Sequence, residues 1–482
     1  MKAVTAEQMR QLDAQTIAAG TSVDELMERA GAAVARAVGR WLSIPATPDR
    51  PIVVFAGKGN NAGDAFVAAR HLAQAGHAVQ LVMLSRREEL RDAPLRNLRR
   101  LHNLKNLELF TWDQAIGPKS KLAARPAVVV DGLLGIGLSG EVREPIASAI
   151  RRINELPAPV VAVDVPSGLG TGCCVGAALT VTFGLPKIEL LRYPDEVGRI
   201  EVVDIGLTGS VESDVEMIAP ADVRPSFPPR RRSAHKGDFG HLLIVAGSVG
   251  FTGAPVLCAM AAARAGVGLV TLAVPREIYP IVASQCPPEV MPRPLENLDY
   301  ARFDAIAVGP GIGREVPWLP PLIRDSNRPL VLDADALNFL ASDLKLLKSA
   351  QAVLTPHPGE MARLIGQPVR DRWEVARAFA KQHNVTLVLK GAHTVVTDPT
   401  GVLWVNATGN PGMAKGGMGD ALTGILGAFL ARGLAPLEAA KAAVYLHGVA
   451  GDLAAEALGQ EALQTTDLIA QLPAAWQSLA RA

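Results

Sequence analysis

The stretch Asn410–Asp420 combines residue types that could hold a phosphate and move a proton beside it. It reads Asn-Pro-Gly-Met-Ala-Lys-Gly-Gly-Met-Gly-Asp and leads directly into an apolar helix pattern over 421–430. Clustered glycines let backbone N–H groups converge, and the positive end of a helix favours an anion, so the segment predicts a phosphate site. Asp420 would repel that anion, which makes sense if a neighbouring group must lose a proton. The alternative is a glycine-rich turn in which Asp420 only caps the helix.

Other residues of the second half could complete such a site. The segment Lys390–Thr394 lies between two predicted strands, where an adenine or a ribose could rest. Gly311 and Ala254 are small enough to let a ligand approach the backbone closely. His357 is flanked by two prolines, which restrict it, and a single histidine is as compatible with packing as with chemistry.

The first half carries a different set of polar residues, each placed where an apolar strand ends. A strand over 51–55 runs into the loop Gly57–Asp64, which is neither a Walker loop nor a G-x-G-x-x-G fingerprint. Two further strands end in Asp131 and Asp164. Three carboxylates without His or Cys suggest a hard cation, or one base with two structural partners. The neutral oxygens of Asn61 and Ser167 favour a monovalent ion over Mg²⁺, and the alternative is that the aspartates only cap turns.

The elements that must position these residues follow an α/β pattern in both halves. Helix periodicity over 3–41 is followed by continuous apolar strands that alternate with helices, which predicts a parallel sheet covered on both faces. Ligands of such sheets bind beyond the carboxyl ends of the strands, so the polar residues of the first half should converge. A second α/β pattern starts near His241, after a proline-rich stretch. We therefore expect domains over 1–215 and 236–482, joined by a linker over 216–235.

Composition restricts the class of protein. The chain has 482 residues, 49% hydrophobic and 20% charged, with a net charge of +1. These values predict a large core and argue against a nucleic-acid partner or a membrane-surface role. The basic triplet Arg230–Arg232 is then expected to be a solvated face. The four cysteines show neither a zinc spacing nor a disulfide framework, and no apolar signal or membrane-spanning segment is visible, so a cytoplasmic location is expected.

The motifs together resemble those of bifunctional NAD(P)H-hydrate repair enzymes. The first half is similar to NAD(P)H-hydrate epimerases in G-x-G-N-N-x-G-D at Gly57–Asp64, D-x-x-x-G-x-G-x-x-G from Asp131 and D-x-P-S-G at Asp164–Gly168. The second half is similar to ADP-dependent NAD(P)H-hydrate dehydratases in H-K-G-D-F-G, G-S-x-G-F-T-G-A, G-P-G-I-G, T-P-H-P-G-E, K-G-A-H-T and N-P-G-M-A-x-G-G-M-G-D. The resemblance implies a Rossmann-like three-layer αβα domain with a parallel sheet, followed by a ribokinase-like α/β domain.

The resemblance also implies site residues in the first half. The potassium ligands would be Asn61, Asp131 and Ser167, which agrees with the monovalent ion favoured above. Asp164 is the candidate for proton handling. The residues that would bind the hydrated cofactor are Asn60, Asn61, Ala62, Gly63, Asp64, Gly135, Ile136, Gly137, Leu138, Ser139, Gly140, Glu141 and Asp164.

In the second half, the resemblance implies a nicotinamide pocket and a nucleotide site. Asp420 would be the catalytic base, and Mg²⁺ would accompany ADP. The residues facing the hydrated nicotinamide would be Ala254, Gly311, His357 and Asp420. The residues holding the adenosine phosphate of ADP would be Lys390, Gly391, Ala392, His393, Thr394 and Gly419.

The expected function is the repair of hydrated nicotinamide cofactors. The first domain would interconvert the R and S forms of NADHX and NADPHX, and the second would dehydrate the S form at the expense of ADP, giving AMP and phosphate. The resemblance further implies a homo-oligomer, specifically a homotetramer. Two alternatives stay open: a ribokinase-like vitamin kinase fused to a nucleotide-binding domain, and a nucleotide-sensing module without turnover.

Three positions depart from the family pattern. Ala62 and Ala65 stand where many relatives have glycine, and Lys415 stands where a small Ser or Thr is common. Lys415 could contact a phosphate or point outward. These departures bear on nucleotide preference rather than on the activity.

Overall fold

The chain folds into two compact units. The computed structural model describes residues 1–42, 50–138, 140–349 and 351–481. The first unit is Lys2–Ser213, and the second is Met1 together with Asp214–Ala482. In the described part of the chain, no helix is long and apolar enough to cross a membrane.

The first unit is built on a parallel sheet of seven strands in the order β3-β2-β1-β4-β5-β6-β7. Every residue of β1 and β4 is buried, as expected for apolar strands covered on both faces. The strands are β1 (Ile52–Ala56), β2 (Val79–Met83), β3 (Leu107–Thr111), β4 (Val128–Gly132), β5 (Val160–Val163), β6 (Leu179–Phe183) and β7 (Arg199–Val203). The parallel sheet predicted for the first half is thus confirmed.

Helices cover this sheet and bring further residues to its carboxyl edge. Thr5 and Gln8 form a reciprocal capping box that starts α1, and Ser22 caps α2 through the N–H of Glu25 at 3.2 Å. The helices of this unit are α1 (Ala6–Ala18), α2 (Val23–Trp41), α3 (Asn60–Gln74), α4 (Asp92–Arg99), α5 (Trp112–Ile116), α6 (Ile146–Glu155), α7 (Ile188–Arg192) and α8 (Pro194–Val197). The connection from β1 into α3 places the loop predicted to bind ligand at the carboxyl end of the central strand.

The second unit contains a mixed sheet of ten strands in the order β11-β10-β9-β12-β13-β14-β15-β16-β17-β8. Strands β9 to β15 pair in parallel, whereas β15–β16 and β16–β17 are antiparallel. The strands are β8 (Val215–Met217), β9 (His241–Val245), β10 (Leu269–Val274), β11 (Val290–Pro294), β12 (Ala305–Val308), β13 (Leu330–Leu332), β14 (Ala352–Leu354), β15 (Thr386–Leu389), β16 (Thr394–Thr397) and β17 (Leu403–Asn406). The segment Lys390–Thr394 therefore connects two strands, as expected, and these strands are antiparallel.

Several long helices of the second unit form its core with the sheet. The helix α16, which follows the glycine-rich stretch, is buried along nearly its whole length. The helices are α9 (Pro220–Val223), α10 (Gly253–Arg264), α11 (Tyr279–Gln285), α12 (Leu319–Asp325), α13 (Asp335–Leu340), α14 (Pro358–Ile365), α15 (Arg372–His383), α16 (Met418–Ala431), α17 (Pro436–Leu458) and α18 (Thr465–Arg481).

The segment 216–235, expected to be a linker, is packed onto the second unit over its first part. Strand β8 pairs in parallel with β17, and the Phe227 ring lies 4.7 Å from the Trp476 ring and 4.9 Å from the Phe429 ring, measured between centroids. A three-residue strand is too short to show periodicity, which explains why the sequence pattern missed it. Arg230–Arg232 is exposed, as expected.

Candidate active sites

The first unit has a cavity of about 960 Å³ at the carboxyl edge of its sheet. The predicted residues that line it are Asn60, Asn61, Asp64, Gly135, Ile136, Gly137, Leu138, Glu141 and Asp164. Ala62 and Gly63 instead face the protein interior, where a Cβ at Gly63 would lie 2.4 Å from Met27 Sδ. Gly140 does not line the cavity, and Ser139 lies outside the described residues.

Asp131 and Ser167 form a buried cluster just behind the cavity wall. The Ser167 hydroxyl donates to Asp131 Oδ1 at 2.6 Å, and the Ser167 N–H donates to Asp131 Oδ2 at 2.8 Å. Burial raises the pKa of Asp131 to about 6, although these bonds oppose the shift. The Asn61 amide donates to Leu134 O at 2.8 Å, and the Leu134 N–H donates to Ser167 Oγ at 2.8 Å, so Leu134 connects Asn61 to the Asp131–Ser167 pair. Asp131 lies inside β4, and its Oδ1 also accepts from the Leu133 N–H at 3.2 Å, so its carboxyl group caps the turn after this strand and not a helix.

Asp164 follows β5 in a left-handed conformation, with φ of 65°. Its Oδ1 accepts hydrogen bonds from the Lys187 ammonium, from the Thr182 hydroxyl at 3.1 Å and from the Phe183 N–H at 3.3 Å. Lys187 is almost completely buried. Three donors therefore hold one oxygen of the Asp164 carboxyl group against the cavity wall.

Two more carboxyl groups line the same cavity, Asp64 on α3 and Asp13 on α1. Burial, reinforced by the charges of Asp164 and Asp13, raises the pKa of Asp64 well above its usual range. Burial also raises the pKa of Asp13, and the charge of Lys187 partly offsets this. Asp13, Asp64 and Asp164 therefore share the cavity with one buried ammonium, that of Lys187, and Glu89, Glu141 and Glu144 also line its wall.

In the second unit, the glycine-rich stretch forms the start of α16. Gly417 is the N-cap residue, with φ of 90°, and Asp420 is the third residue of the helix. The first N–H groups of a helix have no partner within it, so the amides of Met418 and Gly419 are available to an anion. The structure thus excludes the alternative in which Asp420 is the N-cap. His447, buried behind this turn, hydrogen-bonds to Met418 O at 3.0 Å.

A buried ion pair lies next to this turn. Lys390 Nζ donates to Asp333 Oδ1 at 2.7 Å, and the Thr423 hydroxyl donates to Asp333 Oδ2 at 2.7 Å. Lys390 Nζ also lies 3.8 Å from Glu360 Oε2. Burial opposes the charge of Lys390, but attraction from Asp333 and Glu360 prevails and raises its pKa. A Cβ at Gly419 would lie 3.4 Å from Lys390 Nζ, so this glycine keeps the turn close to the ion pair.

Asp420 lies beside this ion pair, and among the described residues no hydrogen-bond donor contacts its carboxyl group. Burial raises its pKa to about 7, with a further contribution from the charge of Asp333 and an opposing one from Lys390. A pKa near neutrality suits a group that must exchange a proton during turnover.

His357 is the N-cap of α14. Its Nδ1 accepts from the N–H groups of Gly359 at 3.0 Å and Glu360 at 3.3 Å, and Glu360 Oε2 accepts from the His357 N–H at 2.8 Å. These bonds fix the imidazole with Nδ1 unprotonated, so Nε2 is its donor. The ring is half-exposed, and Glu360 connects it to Lys390.

Gly311 and Ala254 are in contact, as a shared pocket requires. A Cβ built on Gly311, which has φ of 63°, would lie 3.4 Å from Ala254 Cβ and 2.9 Å from Phe251 Cβ. The Gly313 N–H donates to Asp335 Oδ2 at 3.0 Å, and the charge of Asp335 acts on Asp420. The glycine-rich loop after β12 therefore borders the carboxylate cluster.

The turn Lys390–Thr394 is held by Arg372. The Arg372 guanidinium donates to Ala392 O at 2.8 Å and to the carbonyls of Leu389 and Lys390, each at 3.2 Å. Gly391 and His393 have φ of 138° and 51°. A cation that binds carbonyl groups in this way fixes the conformation of the turn.

Comparison with known proteins places both units in one family. Residues 23–188 match the model described as YjeF-related protein N-terminus, and residues 242–474 match the model described as NAD(P)H-hydrate dehydratase. The chain is 39% identical to the bifunctional NAD(P)H-hydrate repair enzyme Nnr of Moorella thermoacetica, over 98% of this chain and 96% of that protein. The chain belongs to the family of bifunctional NAD(P)H-hydrate repair enzymes. The corresponding enzyme of Escherichia coli is 36% identical over 94% of this chain and 89% of that protein.

Two solved structures support the architecture of the second unit of this repair-enzyme family member. The ADP/ATP-dependent NAD(P)H-hydrate dehydratase from Bacillus subtilis, co-crystallised with ATP/Mg²⁺, is 32% identical, with a TM-score of 0.50 over 55% of this chain and 99% of that chain. A ribokinase-like superfamily protein from Enterococcus faecalis matches with a TM-score of 0.51 at 24% identity, over 56% of this chain and 99% of that chain. The predicted ribokinase-like fold is confirmed.

Sequence reasoning missed several residues of both sites. Asp13 lies before the matched residues 23–188, in a helix whose sequence shows only ordinary amphipathic spacing. Lys187 and Arg372 are single charges with no motif around them. Their importance follows from burial and from distant partners, which a linear pattern does not reveal. Asp333 was visible as a carboxylate at a strand end, but its pairing with Lys390 was not.

Proposed function

We propose that the chain repairs NADHX and NADPHX in the cytoplasm. The first unit epimerises the R and S forms, and the second dehydrates the S form with ADP, giving AMP and phosphate. The observation that carries this proposal is Asp420, with its raised pKa, at the start of α16 beside the Asp333–Lys390 pair. A module that only bound nucleotide would gain nothing from a carboxyl group beside its anion site.

In the second unit, Asp420 orients and deprotonates the C6 hydroxyl of the hydrated nicotinamide. The oxygen takes a phosphoryl group from ADP, and the electrons of the ring nitrogen then expel phosphate, which leaves far more readily than hydroxide. Loss of a proton from C5 to solvent forms the C5=C6 bond and restores the dihydronicotinamide. The α16 amides and Lys390 offset the negative charge of the transferred group. Gly311 and Ala254 give the ring room, and His357 offers an Nε2 donor to it.

The nucleotide is proposed to rest against the β15–β16 turn. Gly419 and the Lys390–Thr394 backbone hold its phosphate and adenosine, and Arg372 keeps the turn in place. Among the described residues, no three His, Cys, Asp or Glu side chains form a metal cluster. That fits Mg²⁺, which is commonly held by one or two carboxylates together with substrate phosphates and supplies charge neutralisation there.

In the first unit, the donor set of Asn61, Asp131 and Ser167 fits K⁺. It has one carboxylate and several neutral oxygens, which include the Leu134 carbonyl. A monovalent ion would fix the loop after β4 against the cavity. The hydrated cofactor would lie against Asn60–Asp64 and the segment 135–141, with Asp164 close to its nicotinamide end. We further propose that the chain forms a homotetramer, as the resemblance implies.

Incubation of the purified chain with NADHX and ADP tests the activity. We expect the absorbance of the dihydronicotinamide to return, with one AMP and one phosphate formed for each NADH. A stable phosphorylated product without NADH would instead indicate a small-molecule kinase. Binding of ADP without any product would indicate a sensor.

A further inference from the structure

All three N–H groups of the Lys187 ammonium make hydrogen bonds within the cavity wall of the first unit. Its ammonium donates to Asp164 Oδ1, to the Thr182 hydroxyl at 3.0 Å and to Phe183 O at 3.1 Å. An ammonium group has three N–H bonds, so Lys187 has none left for the other carboxyl groups of the cavity. Asp164 is therefore the single carboxylate that Lys187 neutralises directly.

Asp64 faces the same space without such a partner. Among the described residues, no donor makes a hydrogen bond with its carboxyl group, and Asp13 and Asp164 are close enough to act on its charge. Two like charges in a site of low polarity disfavour a third, so burial and the charges of Asp164 and Asp13 favour the protonated form of Asp64. Asp164 and Asp64 thus differ in their surroundings, because an ammonium, a hydroxyl and an amide donate to Asp164 Oδ1 and no such donor among the described residues contacts Asp64.

We propose that Asp64 is the proton donor of the epimerase site and that Asp164, held by the Lys187 ammonium, faces the reacting ring as its counter-charge. This inference rests on the proposed function of the first unit. It assigns proton transfer to Asp64 rather than to Asp164 and adds Lys187 and Asp13 as positioning residues.

The step balances with water as the co-reactant. Asp64 gives its proton to the C6 hydroxyl of the hydrated ring, the C6–O bond breaks to release water, and the ring-nitrogen lone pair forms the C6=N bond. The resulting positive charge is offset by the counter-charge of Asp164. Water then adds to the other face of C6, and the proton that it loses returns to the Asp64 carboxylate. Both the enzyme and the cofactor regain their original composition, with C6 inverted.

The full-length protein allows a test with an internal control. R-NADHX alone, without ADP, is followed by chromatography that separates the epimers, and the protein-free rate is subtracted. We expect Asp64→Asn to lower the epimerisation rate about 10²–10⁴-fold. Dehydration of S-NADHX with ADP should be unchanged, which shows that the second unit is intact. Glu155→Gln removes an exposed carboxylate of the same unit that does not line the cavity, and it should leave both rates unchanged.

A pH profile separates proton donation from a structural role. With an acid at Asp64, the epimerisation rate should fall as the pH rises, and Asp64→Glu should retain this profile at a lower rate. Asp13, Asp164 and Lys187 face Asp64 from the other elements packed against it. The other charged groups of the wall are Arg10, Lys58, Glu89, Glu141, Arg143 and Glu144.

Two results would overturn the inference, and they differ from failure of the function itself. If Asp64→Asn epimerises at the wild-type rate, Asp64 is not the proton donor. If both Asp64→Asn and Asp64→Glu are slow but the wild-type rate is independent of pH, the role is structural. A wild-type protein that does not exceed the protein-free rate would remove the proposed epimerase function and the inference together.

Discussion

Asp420 differs from the neighbouring Asp333 in the hydrogen-bond donors that surround its carboxyl group. Asp333 forms an ion pair with Lys390 and accepts a hydrogen bond from the Thr423 hydroxyl. Asp420 has no hydrogen-bond donor among the described residues, and its pKa is raised to about 7. We expect Asp420→Asn to lower the dehydration rate about 10²–10⁴-fold while ADP still binds. ADP affinity by calorimetry and epimerisation by the first unit are the controls. Wild-type turnover in this variant would refute the role of Asp420 as base.

The raised pKa of Asp420 predicts that the rate of dehydration depends on pH. A base works in its deprotonated form, so kcat/KM for S-NADHX should rise with pH through about 7 and level off above it. Initial rates between pH 5.5 and 9, in buffers of constant ionic strength, would measure this dependence. The range extends about 1.5 pH units or more to each side of that pKa. A profile that is flat across neutrality would show that Asp420 does not limit the step.

At the scale of elements, the start of α16 depends on Gly417. With φ of 90°, a Cβ there would lie 2.6 Å from Leu257 Cδ1 and 2.9 Å from Thr465 Oγ1. We expect Gly417→Ala to lower the free energy of unfolding by about 1–3 kcal/mol and to weaken ADP binding. Gly416→Ala is the matched stability control, because a Cβ at Gly416 would meet nothing within 4 Å. Equal melting temperatures for the two variants would contradict this explanation.

Lys415 connects the glycine-rich stretch to the segment before α18. Its ammonium donates to Glu461 O at 2.7 Å and to Leu463 O at 2.8 Å, which leaves little capacity for a phosphate. We expect Lys415→Met to cost about 1 kcal/mol of stability, a modest value because the side chain is exposed, and to leave ADP affinity unchanged. Thermal unfolding and calorimetry would measure the two quantities. A large loss of affinity at unchanged stability would instead assign Lys415 to the phosphate.

Element positions were largely predictable, because strand ends carry their own signal. Asp131 and Asp164 close apolar runs, and parallel strands bring such ends to one edge. The roles of Lys187 and Lys415 were not predictable. The role of Lys187 depends on its nearly complete burial. The role of Lys415 depends on hydrogen bonds to carbonyls that are 46 and 48 residues away in sequence. The first part of the segment 216–235, expected to be a linker, is packed for a related reason, since β8 is defined only by its pairing with β17.

At the scale of the whole molecule, two different sites serve one substrate. The first unit presents a carboxyl-rich cavity suited to proton exchange, and the second a glycine-rich helix start suited to phosphoryl transfer. An enzyme specific for one epimer consumes only part of a mixed pool, so an epimerase in the same chain makes the whole pool usable. The two activities are therefore expected to be separable by single substitutions, one in each unit.

The most direct test is to give the full-length protein equal amounts of R- and S-NADHX with excess ADP and to follow both epimers. We predict that all of the R form is consumed faster than without protein, and that NADH and phosphate both equal the sum of the two epimers. Asp420→Asn should stop NADH formation while the epimers still interconvert. Consumption of the S form alone, with the R form decaying only at its protein-free rate, would contradict the account.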